Sequence, residues 1–242
     1  MSTKVLICIP TYNEAKNILE IVRRWDTVLS SYQNIEGEIL IIDDNSPDKT
    51  ADLVANQEIS RVSILRRPKK EGLGPAYIAG FTWGLDRGFN LFVESDADGS
   101  HQPEEFPRLL DGVNGAQLCL GTRWMPGGAV INWPITRRLI SRCGTLYAQK
   151  ALRLPYKDLT GGYRIISREA LEAIDITSIT SKGYGFQIEM VMRAHDAGLA
   201  ITQVPITFIE RTAGESKMSR AIVFEALRQT TRWGVQRHIN AR

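Results

Sequence analysis

Five short apolar runs, each closed by polar or turn residues, recur through the first half of this 242-residue chain, and helical periodicity fills the gaps between them. Residues 5–9, 39–42, 62–65, 91–93 and 118–120 have the length and continuous apolarity of strands buried on both faces. Between them, residues 17–25 carry Ile18, Ile21, Val22 and Trp25 at helical spacing. Ser46-Pro47 reads as an N-cap with proline at the first helical position, opening a helix over 48–56. A third helix is expected over 75–86, ended near Gly88. Strand–helix–strand repetition of this kind predicts an α/β fold, a central mostly parallel sheet flanked by helices. Such sheets bind ligands at the carboxyl ends of their strands. Three polar clusters stand at those ends: Pro10-Thr11-Tyr12-Asn13-Glu14, Asp43-Asp44-Asn45-Ser46 and Asp96-Ala97-Asp98.

The second half is less regular. Residues 124–133 contain Pro126-Gly127-Gly128 between Trp124 and Trp133 and read as a mobile loop. A helix with a basic face is expected over 136–152, strands over 163–167 and 201–208, and a helix over 186–197. Residues 210–217 read as a polar loop, and 219–238 as an amphipathic helix. No repeat or linker interrupts the chain. The expected organisation is one catalytic domain over 1–218 and a membrane-facing C-terminal helix over 219–242. No run of 18 apolar residues occurs, so no transmembrane helix is expected. The first residues have no signal-peptide pattern. Cys8, Cys119 and Cys143 form no CxxC pair and read as buried free thiols, which suits a reducing, cytoplasmic compartment.

Charge is divided unevenly. Residues 1–121 hold 12 Lys+Arg against 18 Asp+Glu, whereas residues 122–242 hold 18 against 9. An acidic half suits a metal site, and a basic half suits phosphate or an anionic membrane surface. The Asp96-Ala97-Asp98 triplet could be a mere exposed turn. Its place after a strand, with Asp43-Asp44 after another, instead brings four carboxylates to one crevice. Like charges so close are costly unless a cation joins them, and hard oxygen ligands suit Mg²⁺ or Mn²⁺.

The strand-end clusters resemble those of the family 2 glycosyltransferases: Ile9 to Glu14, Ile41-Ile42-Asp43-Asp44-Asn45-Ser46-Pro47-Asp48, and Asp96-Ala97-Asp98. Further matches resemble the dolichol- or polyprenol-phosphate mannose synthases among them. These are Gly121-Thr122-Arg123, Asp158-Leu159-Thr160-Gly161, the run from Lys182 to Met190, and the run from Glu210 to Lys217. The resemblance implies a nucleotide-diphosphosugar transferase fold of the GT-A type. It implies transfer of mannose from GDP-mannose to a polyprenyl (dolichyl) phosphate, giving a β-linked product. By the same resemblance, Pro10, Tyr12, Glu14, Ile42 and Asp44 line the guanosine pocket. Asp96, Ala97 and Asp98 position ribose, metal and diphosphate, with Asp98 the first metal ligand. Some relatives place a metal-binding Gln two residues after the second Asp, where this chain has Ser100, so Ser100 is the remaining candidate ligand. Arg211 and Lys217 are implied to hold the diphosphate, and Arg123, Arg137 and Ser141 the lipid phosphate. Arg137 and Ser141, four residues apart on one helix, share a face.

A phosphate acceptor is already ionised near neutral pH and needs no general base, so positioning and charge management are the expected demands. A single in-line displacement would invert the anomeric carbon, with Asp98 and Arg123 central to it. The same residues would serve a lipid-phosphate glucosyl- or other hexosyltransferase. No glycine-rich turn follows the first strand, which argues against a dinucleotide-dependent oxidoreductase. A nucleic-acid-binding module would leave the acidic strand ends unexplained. The lipid tail must be met at a surface, with residues 124–133 and the last helix the candidates. That places the protein at the cytoplasmic face of a membrane, and one weak interfacial helix calls for a membrane-anchoring partner protein.

Overall fold

The computed structural model describes residues 2–57, 59–211 and 220–240. The first strands are β1 (Thr3–Thr11), β2 (Ile35–Asp43), β3 (Val62–Arg66), β4 (Leu91–Glu94) and β5 (Leu118–Thr122). The later ones are β6 (Ala129–Ile131), β7 (Arg164–Ser167), β8 (Ile201–Pro205) and β9 (Thr207–Ile209). Seven of them form one sheet in the order β3-β2-β1-β4-β7-β5-β8. All neighbours in it run parallel except β7, which is antiparallel to both β4 and β5. The expected mostly parallel sheet is therefore present. The direction of β7 was not readable from Ile165 and Ile166 between Arg164 and Ser167.

Helices α1 (Ile18–Ser30), α2 (Thr50–Ala55), α3 (Leu73–Leu85) and α4 (Phe106–Val113) link the early strands. The rest are α5 (Ile135–Leu152), α6 (Arg168–Ala173), α7 (Gly183–Asp196) and α8 (Arg220–Asn240). Strand alternation divides the core in two. Leu6 and Cys8 of β1, with Leu40 and Ile42 of β2, face α3 and α7. Val5, Ile7, Ile9, Ile39 and Ile41 face α1 and α4. Helix α3 lies so close to the sheet that a Cβ at Gly84 would come within 2.6 Å of Leu6. On the opposite face Trp25, fully buried, donates its indole N–H to Ser95 Oγ at 3.1 Å. That bond ties α1 to the loop that carries Asp96.

Three local expectations are corrected. Ser46-Pro47 does not start a helix: α2 begins at Thr50, because Asp43 takes the Ser46 hydroxyl and amide while Asp48 accepts from the Thr50 amide at 3.1 Å. The segment from Trp124 to Trp133 is not an open loop. Its residues Ala129–Ile131 form β6, paired in parallel with β9, and the Gly128 amide closes a turn onto Met125. The predicted 201–208 strand is split at Ile206, whose amide still donates to Thr122 of β5 while its carbonyl accepts from Ala129 of β6. Among the thiols, Cys8 and Cys119 are buried as expected but Cys143 is exposed on α5.

Candidate active site

Strands β2, β1 and β4 are adjacent, so their carboxyl ends bring Asp43, Thr11 and the Asp96 loop to one edge. Asp43 is spent on the frame. One oxygen accepts from Thr11 Oγ1 at 2.9 Å and Ser46 Oγ at 2.6 Å, and the other from the Ser46 amide at 3.0 Å. Asp44 pairs with Arg67, which also reaches Glu71 at 2.9 Å. Burial raises the Asp44 carboxyl above its ordinary value, with Arg67 opposing. The Asp43-Asp44 pair thus needs no metal to relieve it, contrary to the electrostatic expectation. Arg67, standing just beyond β3, supplies the cation.

The remaining residues expected around the nucleotide divide into two groups. Glu14 is buried, accepts from Asn17 at 3.1 Å, and its amide is fixed by Thr50 Oγ1 at 3.0 Å. Tyr12 presents its ring to Lys70, whose ammonium lies 4.1 Å from the ring centroid, and Pro10 precedes it at the end of β1. Ile42 and Ala97 differ: both side chains lie in the core, Ile42 against Gly80 and Cys8, so only their backbones can face a ligand.

Asp98 is nearly buried and its carboxylate is held from two sides. One oxygen accepts from the Ser100 amide at 3.0 Å, and the other meets Arg211 Nη2 at 2.9 Å. Asp96, more exposed, hangs from an amide that donates to His101 Nδ1 at 3.0 Å. That bond puts the ring proton of a neutral His101 on Nε2. His101 is itself buried, stacked on Tyr163 with centroids 5.0 Å apart. A positive φ at Gly99 folds the chain back to bring it there. The two carboxylates suit a divalent cation that completes its shell with phosphate oxygens. The Ser100 hydroxyl, buried with no hydrogen-bond partner among the described residues, adds a third oxygen donor. Among the described residues no set of three His, Cys, Asp or Glu side chains could hold a metal by itself. Arg211 and a metal would compete for the same Asp98 oxygen.

Behind this loop, fully buried Glu94 stands in register with Arg164 of β7. Burial lifts its carboxyl to about 7, with Arg164 and Gln187 opposing.

The basic residues converge on the other side. Arg123, just beyond β5, forks onto Asp158 through Nε at 2.7 Å and Nη2 at 2.8 Å, and Nη2 also reaches Thr160 at 3.1 Å. Burial opposes the Arg123 charge, but Asp158 outweighs it and raises its pKa. Burial likewise works against the Asp158 charge, and Arg123 overcomes it, leaving that carboxyl below its ordinary value. Arg123 therefore arrives with its countercharge, not as the free cation the sequence implied. Three rings surround it: Trp124, Trp133 and Phe208, with centroids 5.4–5.5 Å away. Arg137 is paired with Glu210 and lies 4.2 Å over Trp133.

Arg123, Arg137 and Ser141 line one cavity of about 80 Å³, with Trp133, Thr160 and Tyr184 around them and Ile140, Gly144, Val223 and Leu227 along the α5–α8 side. The expected trio is thus brought together. Among the described residues no carboxylate lines this cavity. The Trp133 indole N–H is buried without a hydrogen-bond partner among the described residues. Tyr184 joins the two halves of the site. Burial raises its phenol, while Arg123, Arg137 and Arg211 pull it down and Asp96 pushes it up. A chain of rings, His101–Phe208–Trp133, links the acidic loop to the basic wall at 5.5 and 5.2 Å. Lys217 lies outside the described residues.

Arg67, His101 and Tyr184 were not assigned from sequence, and Trp133 was named only as a flank of the segment expected to meet lipid. Tyr184 lies within the quoted Lys182–Met190 run.

Comparisons with known proteins agree with this geometry. Residues 6–175 match the family described as Glycosyl transferase family 2. The chain is 49% identical over 235 residues to undecaprenyl-phosphate mannosyltransferase of Micrococcus luteus, covering 96% of this chain and 94% of that one. It is 46% identical over 237 residues to polyprenol monophosphomannose synthase of Mycolicibacterium smegmatis, covering 96% and 88%. Dolichol-phosphate mannosyltransferase of Pyrococcus furiosus is 36% identical over 235 residues, 95% of this chain but 63% of that protein. Among solved structures, glucosyl-3-phosphoglycerate synthase of Mycobacterium tuberculosis in complex with Mn²⁺, UDP and glucosyl-3-phosphoglycerate superposes with TM-score 0.68 at 19% identity, covering 97% of this chain and 80% of that one. Mannosyl-3-phosphoglycerate synthase of Rubrobacter xylanophilus gives 0.68 at 19%, covering 98% and 75%. At that identity the structures bear on fold, which is the expected GT-A type. The family match and the close relatives settle the affiliation: this chain belongs to glycosyl transferase family 2.

Proposed function

We propose that the protein transfers mannose from GDP-mannose to a polyprenyl phosphate, with inversion, at the cytoplasmic face of a membrane. The observation that carries this reading is the cavity that holds Arg123, Arg137 and Ser141 at one end and apolar residues of α5 and α8 along its side. It fits an anionic head on an apolar chain. The relatives named above act on such lipids by name.

In this reading Pro10, Tyr12, Glu14 and Asp44 receive the nucleoside, with the Ile42 and Ala97 backbones completing the pocket. Arg67 keeps Asp44 in place to accept from the base. Asp96 and Asp98, with Ser100, would hold Mg²⁺ or Mn²⁺, which when bound offsets charge on the departing diphosphate. Arg211 leaves Asp98 for the diphosphate, and Lys217 joins it. Arg123, Arg137, Ser141 and the Trp133 N–H hold the acceptor phosphate, which attacks the anomeric carbon directly. Among the described residues the cavity lining holds no carboxylate, which suits this route, because neither a general base nor a carboxylate nucleophile is required. Arg123 and Asp158 together present a rigid, nearly neutral pair whose hydrogen-bond donors do the positioning.

No helix among the described residues is long and apolar enough to cross a membrane. The lipid is met instead on the outer faces of α5 and α8, where Ile135 and Phe224 are 74% and 70% exposed. Leu139, Ile140, Leu146 and Val235 are also exposed there, with Arg138 and Arg142 among them. Two helices widen the apolar face that one was expected to supply. An anchoring partner protein would add to that hold. The test is incubation of the pure protein with a panel of nucleotide sugars, Mg²⁺ or Mn²⁺ and a polyprenyl phosphate, with mass analysis of the lipid. GDP-mannose alone should yield hexosyl lipid. Product from UDP-glucose in preference would transfer the assignment to a glucosyltransferase.

A further inference from the structure

The loop that carries Asp96, Asp98 and Ser100 runs from Ser95, just beyond β4, to Gln102. Helix α1 lies behind it and meets it at three points. At the start of the loop, Trp25 donates its indole N–H to Ser95 Oγ at 3.1 Å. In the middle, Ile21 lies under Gly99: a Cβ built there would meet the Ile21 side chain at 3.6 Å. At the end, Arg24 Nη2 donates to Gln102 Oε1 at 2.7 Å. Ile21, Arg24 and Trp25 stand three and four residues apart, so one face of α1 addresses the whole loop.

Gln102 passes this hold inward. Its Nε2 donates to the Gly99 carbonyl at 2.6 Å, and its own carbonyl accepts from the Tyr163 hydroxyl at 3.0 Å. Gly99 stands between Asp98 and Ser100 with φ +77°, and a glycine left alone there would visit many other conformations. Arg24 is aimed in turn by Glu104, which accepts from Nε at 2.9 Å and shares Nη2 with Gln102. Both ends of the Gln102 amide are engaged, so it serves the loop and not a metal. We propose that Arg24 and Gln102 are positioning residues for the diphosphate end of the site, acting through Gly99 on Asp98 and the Ser100 hydroxyl. This rests on the reading that Asp96, Asp98 and Ser100 hold a divalent cation.

The hold on Gly99 matters most when the site is loaded. Among the described residues the Asp98 carboxylate is oriented by the Ser100 amide and by Arg211. A metal at Asp98 takes the oxygen that Arg211 uses, which leaves the Ser100 amide, the group next to Gly99, to orient the carboxylate. A part-exposed ion pair such as Arg24–Glu104 adds little to the stability of the fold. Metal affinity is more sensitive, because it depends on how well the groups behind the ligands fix their orientation.

Two variants test the chain of bonds. Arg24→Met keeps the aliphatic stem and removes the fork, and Gln102→Leu keeps the bulk and removes both amide bonds. The backbone bond to Tyr163 survives each change. Mn²⁺ binding is read directly from the electron spin resonance of the free ion, with GDP present. Each variant should bind Mn²⁺ about tenfold more weakly. The double variant should bind no more weakly than either single one, because it cuts the same chain twice. Arg24→Lys keeps the pair with Glu104 but lacks the fork that spans both partners, so it should lose only about threefold. The KM for polyprenyl phosphate and the urea midpoint should stay at the parent's values in all of them. In metal-free protein, the peptide covering residues 96–102 should exchange its amide hydrogens faster in both single variants, with β5 unchanged. Unchanged Mn²⁺ affinity, or losses that add in the double variant, would overturn the proposal. Tighter Mn²⁺ binding by Arg24→Met would show Gln102 to be a ligand that Arg24 restrains, and would overturn it too. A parent that binds no Mn²⁺ would sink the metal reading, and the metal-free exchange would then decide the positioning alone: faster exchange upholds it and equal exchange overturns it.

Discussion

At the ends of β1, β2 and β4 the site is made of short acidic side chains held by amides and hydroxyls a few residues away: Ser46 on Asp43, Ser100 on Asp98. Across from them, the α5 and α8 side is made of long basic side chains held by carboxylates far off in sequence. Asp158 lies 35 residues from Arg123, and Glu210 lies 73 from Arg137. The first kind of wall is fixed mainly by the turns that carry it, with Arg67 on Asp44 and Arg211 on Asp98 as its distant supports. The second exists only when the tertiary structure is complete. A donor with a fixed diphosphate suits the rigid wall, and an acceptor delivered from a membrane suits a wall built of arginine forks, aromatic rings and apolar helix faces.

The sharpest way to separate the two walls is to remove one group from each. Asp98→Ala should lower transfer about 10³-fold or more, because it removes charge stabilisation at the diphosphate while leaving the fold intact. Turnover within about tenfold of the parent would break the distinction. Asp158→Ala acts on the other wall and should register first as instability. It leaves Arg123 buried without its countercharge, at a cost of about 3–5 kcal/mol in denaturant unfolding. Asp158 is held below its ordinary value once Arg123 overcomes the effect of burial. Its contribution is therefore present above the unfolded value near pH 4 and lost as pH falls through the lowered one. The gap between parent and variant should persist at neutral pH and narrow only in strong acid. A gap that narrows above pH 5 would contradict the ion pair's role.

Arg137→Ala should raise the KM for lipid phosphate about tenfold to a hundredfold, equivalent to one charge-assisted hydrogen bond of about 1.5–3 kcal/mol. GDP affinity by calorimetric titration should stay unchanged; a large loss would move Arg137 to the donor wall. The smallest effect concerns the residue that crosses between the walls. Arg211 meets the Asp98 oxygen that a metal would use. Without nucleotide, Arg211→Ala should bind Mn²⁺ a few-fold more tightly, by about 1 kcal/mol or less. Weaker Mn²⁺ binding would show that Arg211 supports the metal and does not compete with it.

The same contrast governs what could be read from sequence. The sheet was legible because short apolar runs and amphipathic helices announce their periods directly, and the strand-end carboxylates lie next to them. The resemblance put Ile42 at the nucleotide pocket without saying which face of the strand its side chain takes; alternation turned that side chain toward α3. Arg67 was passed over because its partner Asp44 is 23 residues away. Trp133 takes its place only through packing against Phe208 of β9 and Arg137 of α5, and Tyr184 meets the basic residues only in the folded cavity. The polar turn around Gly127 suggested motion, yet pairing of β6 with β9 and the Trp124–Trp133–Phe208 rings pin it. A short polar loop reveals its composition but not its distant partners.

The central claim is direct inverting transfer from GDP-mannose to a lipid phosphate, and the anomeric configuration of the product tests it most directly. With ¹³C-labelled GDP-mannose, Mn²⁺ and a polyprenyl phosphate, the one-bond carbon–hydrogen coupling at the anomeric carbon of the extracted lipid distinguishes the two anomers. A β-mannosyl phosphate is the predicted result. An α-mannosyl phosphate, or free mannose with no lipid product, would contradict the account.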